Sequence, residues 1–397
     1  MKKHIFIALM GILATMSVVR AQAQEQRVVT NVSQVTIELK NNTTVTISEN
    51  IDSVVYIGTN LGFKVYVNGE DTQDFLFSQV LNVEITTGGG PGPDPGDNNK
   101  NANWNISGLN IPESKGDPTF TNMSTNDYAW RLEYPHINTA SGNQRVVKSC
   151  NPYGITYSVE WDNNLIANRW TCYTMCSKNN ASNVTRTNKF YVDDAVTTSP
   201  DNSYAESNTY SRGHLCPSAD RLASTEQNKQ TFYMTNMQPQ YQNHNGGIWA
   251  TLEGDVRSKW QPTNNIDTLY VVKAATIADV TLNNVTSTGI ITTTTDDEGQ
   301  TLVVPKYFYM AFLYFDKMAE DNKKYKAFAI WTQHLNSNNP NESTVLNPNA
   351  GYIISIDELE KRTGIDFFCN LPDDIEDKVE ATATYWDNSQ NNNAPRH

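Results

Sequence analysis

Alternation of polar and apolar positions marks the first folded segment of the chain. Gln34–Leu39 and Thr44–Ser48 each switch between polar and apolar residues on either side of Asn41-Asn42, which predicts a β-hairpin. Ile51–Tyr56 predicts a further strand. Val80–Ile85 lies 29 residues on and echoes it faintly, as two copies of one small β unit would. Gly88–Gly96 is built from glycine, proline and one aspartate, and Asp97–Asn101 adds only polar residues. Such a run has nothing apolar to fold against, so 88–101 is expected to be a linker. It separates a small all-β accessory module over 25–87 from a main domain over 102–388, with a loose polar tail at 389–397.

Within the main domain, Thr156–Trp161, Leu269–Lys273, Tyr307–Tyr314 and Tyr325–Trp331 read as strands. Ile356–Arg362 has a helical rhythm behind Ser355, a suitable N-cap. Asn245–Trp260 also scans as a helix. Trp249, Leu252, Val256 and Trp260 recur at spacings of three and four and should pack inward, while Asn245, Glu253 and Arg257 fall at i, i+8 and i+12 on a common face. Long β runs with helices between them predict an α+β domain with a central antiparallel sheet.

The first 23 residues look like a secretory signal. Lys2 and Lys3 precede an apolar run from Ile5 to Val19, and Ala21-Gln-Ala23 offers small residues for cleavage. No other stretch is long and apolar enough to span a membrane, so the expected location is secreted, periplasmic or extracellular. In an oxidising compartment the five cysteines leave room for one or two disulfides. Cys172 and Cys176 are spaced C-x3-C, but no second pair follows at zinc-site spacing. A formal net charge of -13 argues against a general nucleic-acid binder, since such domains usually carry a basic face. An enzyme acting on nucleic acid would have to rely on local arginines and a metal ion.

The candidate chemistry lies in Ser211-Arg-Gly-His-Leu-Cys-Pro-Ser-Ala-Asp220, Phe232-Tyr-Met-Thr-Asn-Met-Gln-Pro-Gln240 and Asn245-Gly-Gly-Ile-Trp-Ala-Thr-Leu-Glu253. Phosphodiester hydrolysis needs an activated water, charge neutralisation at the phosphoryl oxygens and help for the leaving alkoxide. His214, whose ordinary pKa is near neutrality, can take the proton, and Gly213 beside it would let the backbone bend close to substrate. Asn245 can be the sole protein ligand of a magnesium ion, which prefers oxygen and keeps most of its waters. Glu253 would orient those waters, and Arg257 would reach phosphate or pair with Glu253. Asp220 and Arg221 are read as an ion pair fixing the loop after His214. His136, His244, His334 and His397 are read as structural, and Phe232, Tyr233 and Trp249 as core. A helix N-cap role remains the other reading of Asn245.

These three motifs, in this order and spacing, resemble the DNA/RNA non-specific endonuclease family of the ββα-metal (His-Me finger) superfamily. The resemblance implies a ββα-metal nuclease domain that hydrolyses DNA and RNA with Mg2+, or with Mn2+ in its place. It makes His214 the general base, Asn245 the metal ligand and Glu253 the acid that positions the metal's waters. Arg212 and Arg257 become phosphate-side arginines, and Asn236 a motif asparagine expected at the substrate. Arg186, in Arg186-x-x-x-Phe190-x-x-Asp193, looks like the family arginine that stabilises the pentacovalent phosphate. Ser211 stands where the family usually carries an acid before Arg-Gly-His, so a less rigid base is expected. Two other functions share these features: a phosphodiesterase of the same fold with a narrower substrate, and a non-catalytic surface protein that binds a neighbouring cell.

Overall fold

The computed structural model describes strand backbone within 28–87, and then residues 102–103, 106, 128–176, 181–204, 209–262, 267–317, 319 and 323–388. The signal at 1–23, the linker at 88–101 and the tail at 389–397 lie outside the described residues. The chain divides into two compact units, residues 1–91 and 92–397.

The first unit is all-β. Val32–Leu39 pairs antiparallel with Thr44–Ile47, Val35 opposite Ile47, as the alternation predicts. Val80–Thr87 lies along the other side of Val32–Leu39. Ile51–Ile57 instead belongs to a four-stranded sheet with Val28–Thr30, Gly62–Val67 and Glu70–Leu76. The two echoing segments therefore occupy different sheets with different neighbours. That corrects the reading of two equivalent copies: a shared period is common to all half-buried strands and does not specify pairing.

The second unit is α+β around a seven-stranded antiparallel sheet. Its order runs Ile353–Ile354, Tyr325–Gln333, Tyr307–Phe315, Thr268–Ala275, Ala167–Met175, Gly154–Asp162, Asn143–Cys150. Both faces are covered, so the middle strands are continuously apolar. In Tyr307–Phe315, Phe308, Met310, Phe312 and Tyr314 enter one apolar cluster, and Tyr309, Ala311, Leu313 and Phe315 enter the other. The first cluster takes Trp249, Leu252, Val256 and Trp260 from the predicted helix, each almost fully buried. Burial of side chains this size stabilises by about 1.5–3 kcal/mol each, so this helix is held to the sheet by its apolar stripe. The second cluster takes Ile356 and Leu359 from the helix Ile356–Thr363, together with Phe367, Phe368 and Leu371. Ser355 caps that helix, its Oγ accepting from Glu358 N–H at 3.1 Å.

Cys150, Cys172 and Cys216 are buried free thiols. Three free thiols among five cysteines exclude two disulfides. Among the described residues no helix is long and apolar enough to cross a membrane.

Candidate active site

Two short strands and a helix carry the motif residues. Tyr210–His214 pairs antiparallel with Met237–Tyr241, with Gly213 opposite Gln238 and His214 opposite Met237. A helical run follows directly from Gln242 to Trp260. It begins three residues earlier than the pattern suggests, and Asn245 lies inside it, so Asn245 is no N-cap. The run is not a uniform α-helix. Asn245–Trp249 and Val256–Trp260 are wider π turns, and Gly247 leaves helical geometry at φ -103, ψ -113. Glu253 and Arg257 remain close enough to act on each other's charge, without forming an ion pair.

Gly213 is required for a reason other than backbone bending. A Cβ there would overlap the side-chain amide of Gln240 on the paired strand. That amide is itself needed, since Gln240 Nε2 donates to His244 Nδ1 at 2.6 Å. His334 accepts from Tyr241 N–H at 2.6 Å through Nε2 and donates from Nδ1 to Pro305 O at 2.7 Å. Burial, with His334 as a neighbour, pushes the His244 pKa down to about 3; burial lowers that of His334 to about 4. Both are neutral struts behind the hairpin, in keeping with their structural reading.

Asn236 requires a correction. It is fully buried and its amide is spent on backbone: Oδ1 accepts from Cys216 N at 2.8 Å, and Nδ2 donates to Cys216 O at 2.8 Å and Thr231 O at 2.9 Å. It fixes the chain just after His214 and is out of reach of a substrate. Asn236→Ala should therefore cost about 2–4 kcal/mol by stranding buried peptide groups. Thermal unfolding checks this, with KM of the folded fraction unchanged.

His214 is 8% exposed and held by rings and by the helix. Its ring lies 5.0 Å from that of Phe232 and 5.8 Å from that of Phe190, and Trp249 Nε1 donates to its carbonyl at 3.1 Å. Each phenylalanine carries an arginine. Arg212 lies 3.8 Å from the Phe190 ring centre and Arg186 lies 5.0 Å from that of Phe232. Arg212 also donates to Asn202 O, and Arg186 to Asn188 Oδ1 at 3.0 Å. Burial, helped by Arg186, Arg212 and Lys273, pushes the His214 pKa down to about 3. The imidazole is therefore neutral at physiological pH.

Below it sits a charged group that sequence reading captured only in part. Arg257 pairs with Asp220 Oδ1 at 2.7 Å, and Asp220 Oδ2 accepts from Tyr173 OH at 2.8 Å. Neither the expected Glu253–Arg257 pair nor the Asp220–Arg221 pair forms. Arg221 is buried and donates only to the carbonyls of Thr156, Asp220 and Thr174. Glu253 faces Lys273 instead, with Nζ and Oε1 at 4.0 Å. Burial pushes Glu253 up to about 7, against the pull of Lys273. Burial also lowers the Lys273 pKa, while Glu253 and Asp220 work the other way. Cys216, next to this group, is pushed by burial up to about 12 and is no nucleophile.

Lys273 lies outside the three motifs, so motif spacing does not reach it. The signal was a charged residue inside the apolar strand Thr268–Ala275, at the alternate position shared with Leu269, Val271 and Ala275, which face the helix.

His214 Nε2, Glu253 Oε1 and Lys273 Nζ are all buried without a hydrogen-bond partner among the described residues. Buried polar atoms are normally paired, so three in one locality suit a ligand with its own waters and charge. Glu253 and the half-buried Asn245 offer hard oxygen donors, whose chemistry fits magnesium and not a thiolate-seeking ion. The side-chain amide of Asn245 makes no hydrogen bond among the described residues, while its backbone N–H donates to Gln242 O.

Comparison with known proteins gives the family. Residues 138–374 match the family model described as DNA/RNA non-specific endonuclease. A nuclease of Nostoc sp. is 30% identical over 174 residues, which is 43% of this chain and 55% of that protein. Nuclease C1 of Cunninghamella echinulata is 28% identical over 163 residues, 41% of this chain and 58% of that protein. The chain thus spans little more than half the length of these curated relatives. A solved EndoG/EndoGI complex is similar at 18% identity with a TM-score of 0.45, covering 57% of this chain and 86% of that one. With a family model matched over more than half of its length, the chain belongs to the DNA/RNA non-specific endonuclease family.

Proposed function

We propose that the protein is a secreted, Mg2+-dependent endonuclease that hydrolyses DNA and RNA without sequence preference. The observation that carries this reading is the meeting of three buried groups that make no hydrogen bond among the described residues, His214 Nε2, Glu253 Oε1 and Lys273 Nζ, near a pair of arginines. His214, kept neutral, accepts the proton of the attacking water, and an approaching phosphate anion raises its proton affinity from the depressed value. Arg212 and Arg186 present guanidinium groups to the phosphate, a contact that carries no base information and so favours non-specific cleavage. Asn245 would hold the magnesium ion with Glu253 turned toward it; when bound, the ion neutralises charge at the scissile phosphate and the leaving oxygen. Arg257, held by Asp220, supports the floor of the site; phosphate binding is left to Arg186 and Arg212. The signal-like segment at 1–23 supports export.

The test compares supercoiled plasmid, single-stranded RNA and a small nitrophenyl phosphodiester at matched concentration in Mg2+. Cleavage of both polymers supports the proposal. Turnover of one polymer or of the small diester alone would assign the site to a narrower diesterase. Gel-shift without cleavage would make the protein a binder.

A further inference from the structure

Away from this site, the helices Ile356–Thr363 and Asp373–Glu380 turn carboxylates toward each other. Asp357 and Glu360, spaced i, i+3, share one face of the first helix. Each has an oxygen within 4.8 Å of the others and of Glu380 at the end of the second helix. Glu376, one turn before Glu380, and Asp366, in the connection, add two more acids; Glu376 is 6% and Glu380 4% exposed. The nearby cations are engaged elsewhere: Arg362 with Glu358 at 2.8 Å, and Lys378 with Asp374 at 3.8 Å. Glu360 Oε1 accepts from Phe367 N–H at 2.7 Å. Glu380 supplies a separate observation: one carboxylate oxygen is sheltered from solvent with no hydrogen-bond partner, yet the side chain points inward among like charges.

Acids so placed are costly unless a cation joins them. We propose that Asp357, Glu360 and Glu380 form a calcium site that clasps the two helices, with Glu376 and Asp366 as flanking charge. The donor set is all carboxylate, without the nitrogen or sulfur that zinc takes. Calcium accepts six to eight oxygens in loose geometry, whereas magnesium demands a near-ideal octahedron and keeps its waters. The electrostatics agree. Burial first, then the neighbouring acids Glu360, Glu376, Asp366 and Asp357, push Glu380 up to about 11; burial raises Glu360 to about 8 and Glu376 to about 9. An ion entering this site should therefore release protons.

The experiment is calorimetric titration of CaCl2 into the chelator-treated full chain, with thermal unfolding alongside. Expected are saturable binding, an enthalpy that varies with buffer because protons are released, and a Tm rise of several degrees in millimolar calcium. Glu360→Gln/Glu380→Gln should abolish the calcium-dependent rise without lowering Tm in chelator, because each glutamine matches the size and neutrality of the protonated acid it replaces. Asn245→Ala should keep the rise, separating this site from the nuclease metal. The proposal is overturned if the wild type shows neither heat nor Tm shift, if the double variant keeps the full shift, or if Asn245→Ala removes it.

Discussion

His214→Ala is expected to lower kcat on plasmid and RNA by about 10²–10⁴-fold, the contribution of a positioned general base. The imidazole sits against the rings of Phe190 and Phe232, and its Nε2 makes no hydrogen bond among the described residues. Removing it breaks no side-chain hydrogen bond at that nitrogen and leaves a cavity, at a cost of about 1–3 kcal/mol in stability. Activity should fall far more than the folded fraction does, and rate per folded molecule is the quantity to compare. His334→Ala offers the contrast. Its ring joins Tyr241 N–H to Pro305 O, so stability should drop while chemistry per folded molecule is largely kept.

Glu253→Gln is expected to cost about 10²-fold or more in kcat, with a diagnostic effect on pH dependence. Burial raises the folded pKa of Glu253 to about 7, whereas His214 is held down at about 3. The group that must be ionised is the carboxylate. Activity should therefore be lost on the acid side as the carboxylate takes up a proton, with bound Mg2+ drawing that limb below the metal-free value of about 7. Glu253→Gln should erase this acidic limb. Lys273→Met should move it upward, since the ammonium 4.0 Å away is the main influence favouring the ionised acid. The same change takes one partner from a buried ion pair and should lower Tm, so rate is compared per folded molecule. A limb unmoved in Lys273→Met would show that Lys273 has no part in setting the charge of Glu253.

Much of this architecture was legible because periodicity reports burial. The strands around Thr156–Trp161 and Tyr307–Tyr314, the inward stripe from Trp249 to Trp260 and the Ser355 cap all follow from local pattern. What local pattern could not give was pairing. Asp220 carries no mark that selects Arg257, 37 residues away, over its neighbour Arg221. Asn236 has the residue type of a substrate contact, yet its three backbone hydrogen bonds depend on how Cys216 and Thr231 are brought round it. Lys273 lies outside every motif, and only the sheet places it beneath the helix. The two π turns in that helical run are likewise announced by no residue spacing.

The most direct test of the central claim is chelation and add-back on supercoiled plasmid and RNA with the purified chain. Both substrates should survive in EDTA, be degraded once excess Mg2+ is restored, and survive again when His214→Ala replaces the wild type under the same restored metal. Degradation that persists in EDTA, or a His214→Ala chain as fast as the wild type, would contradict the account.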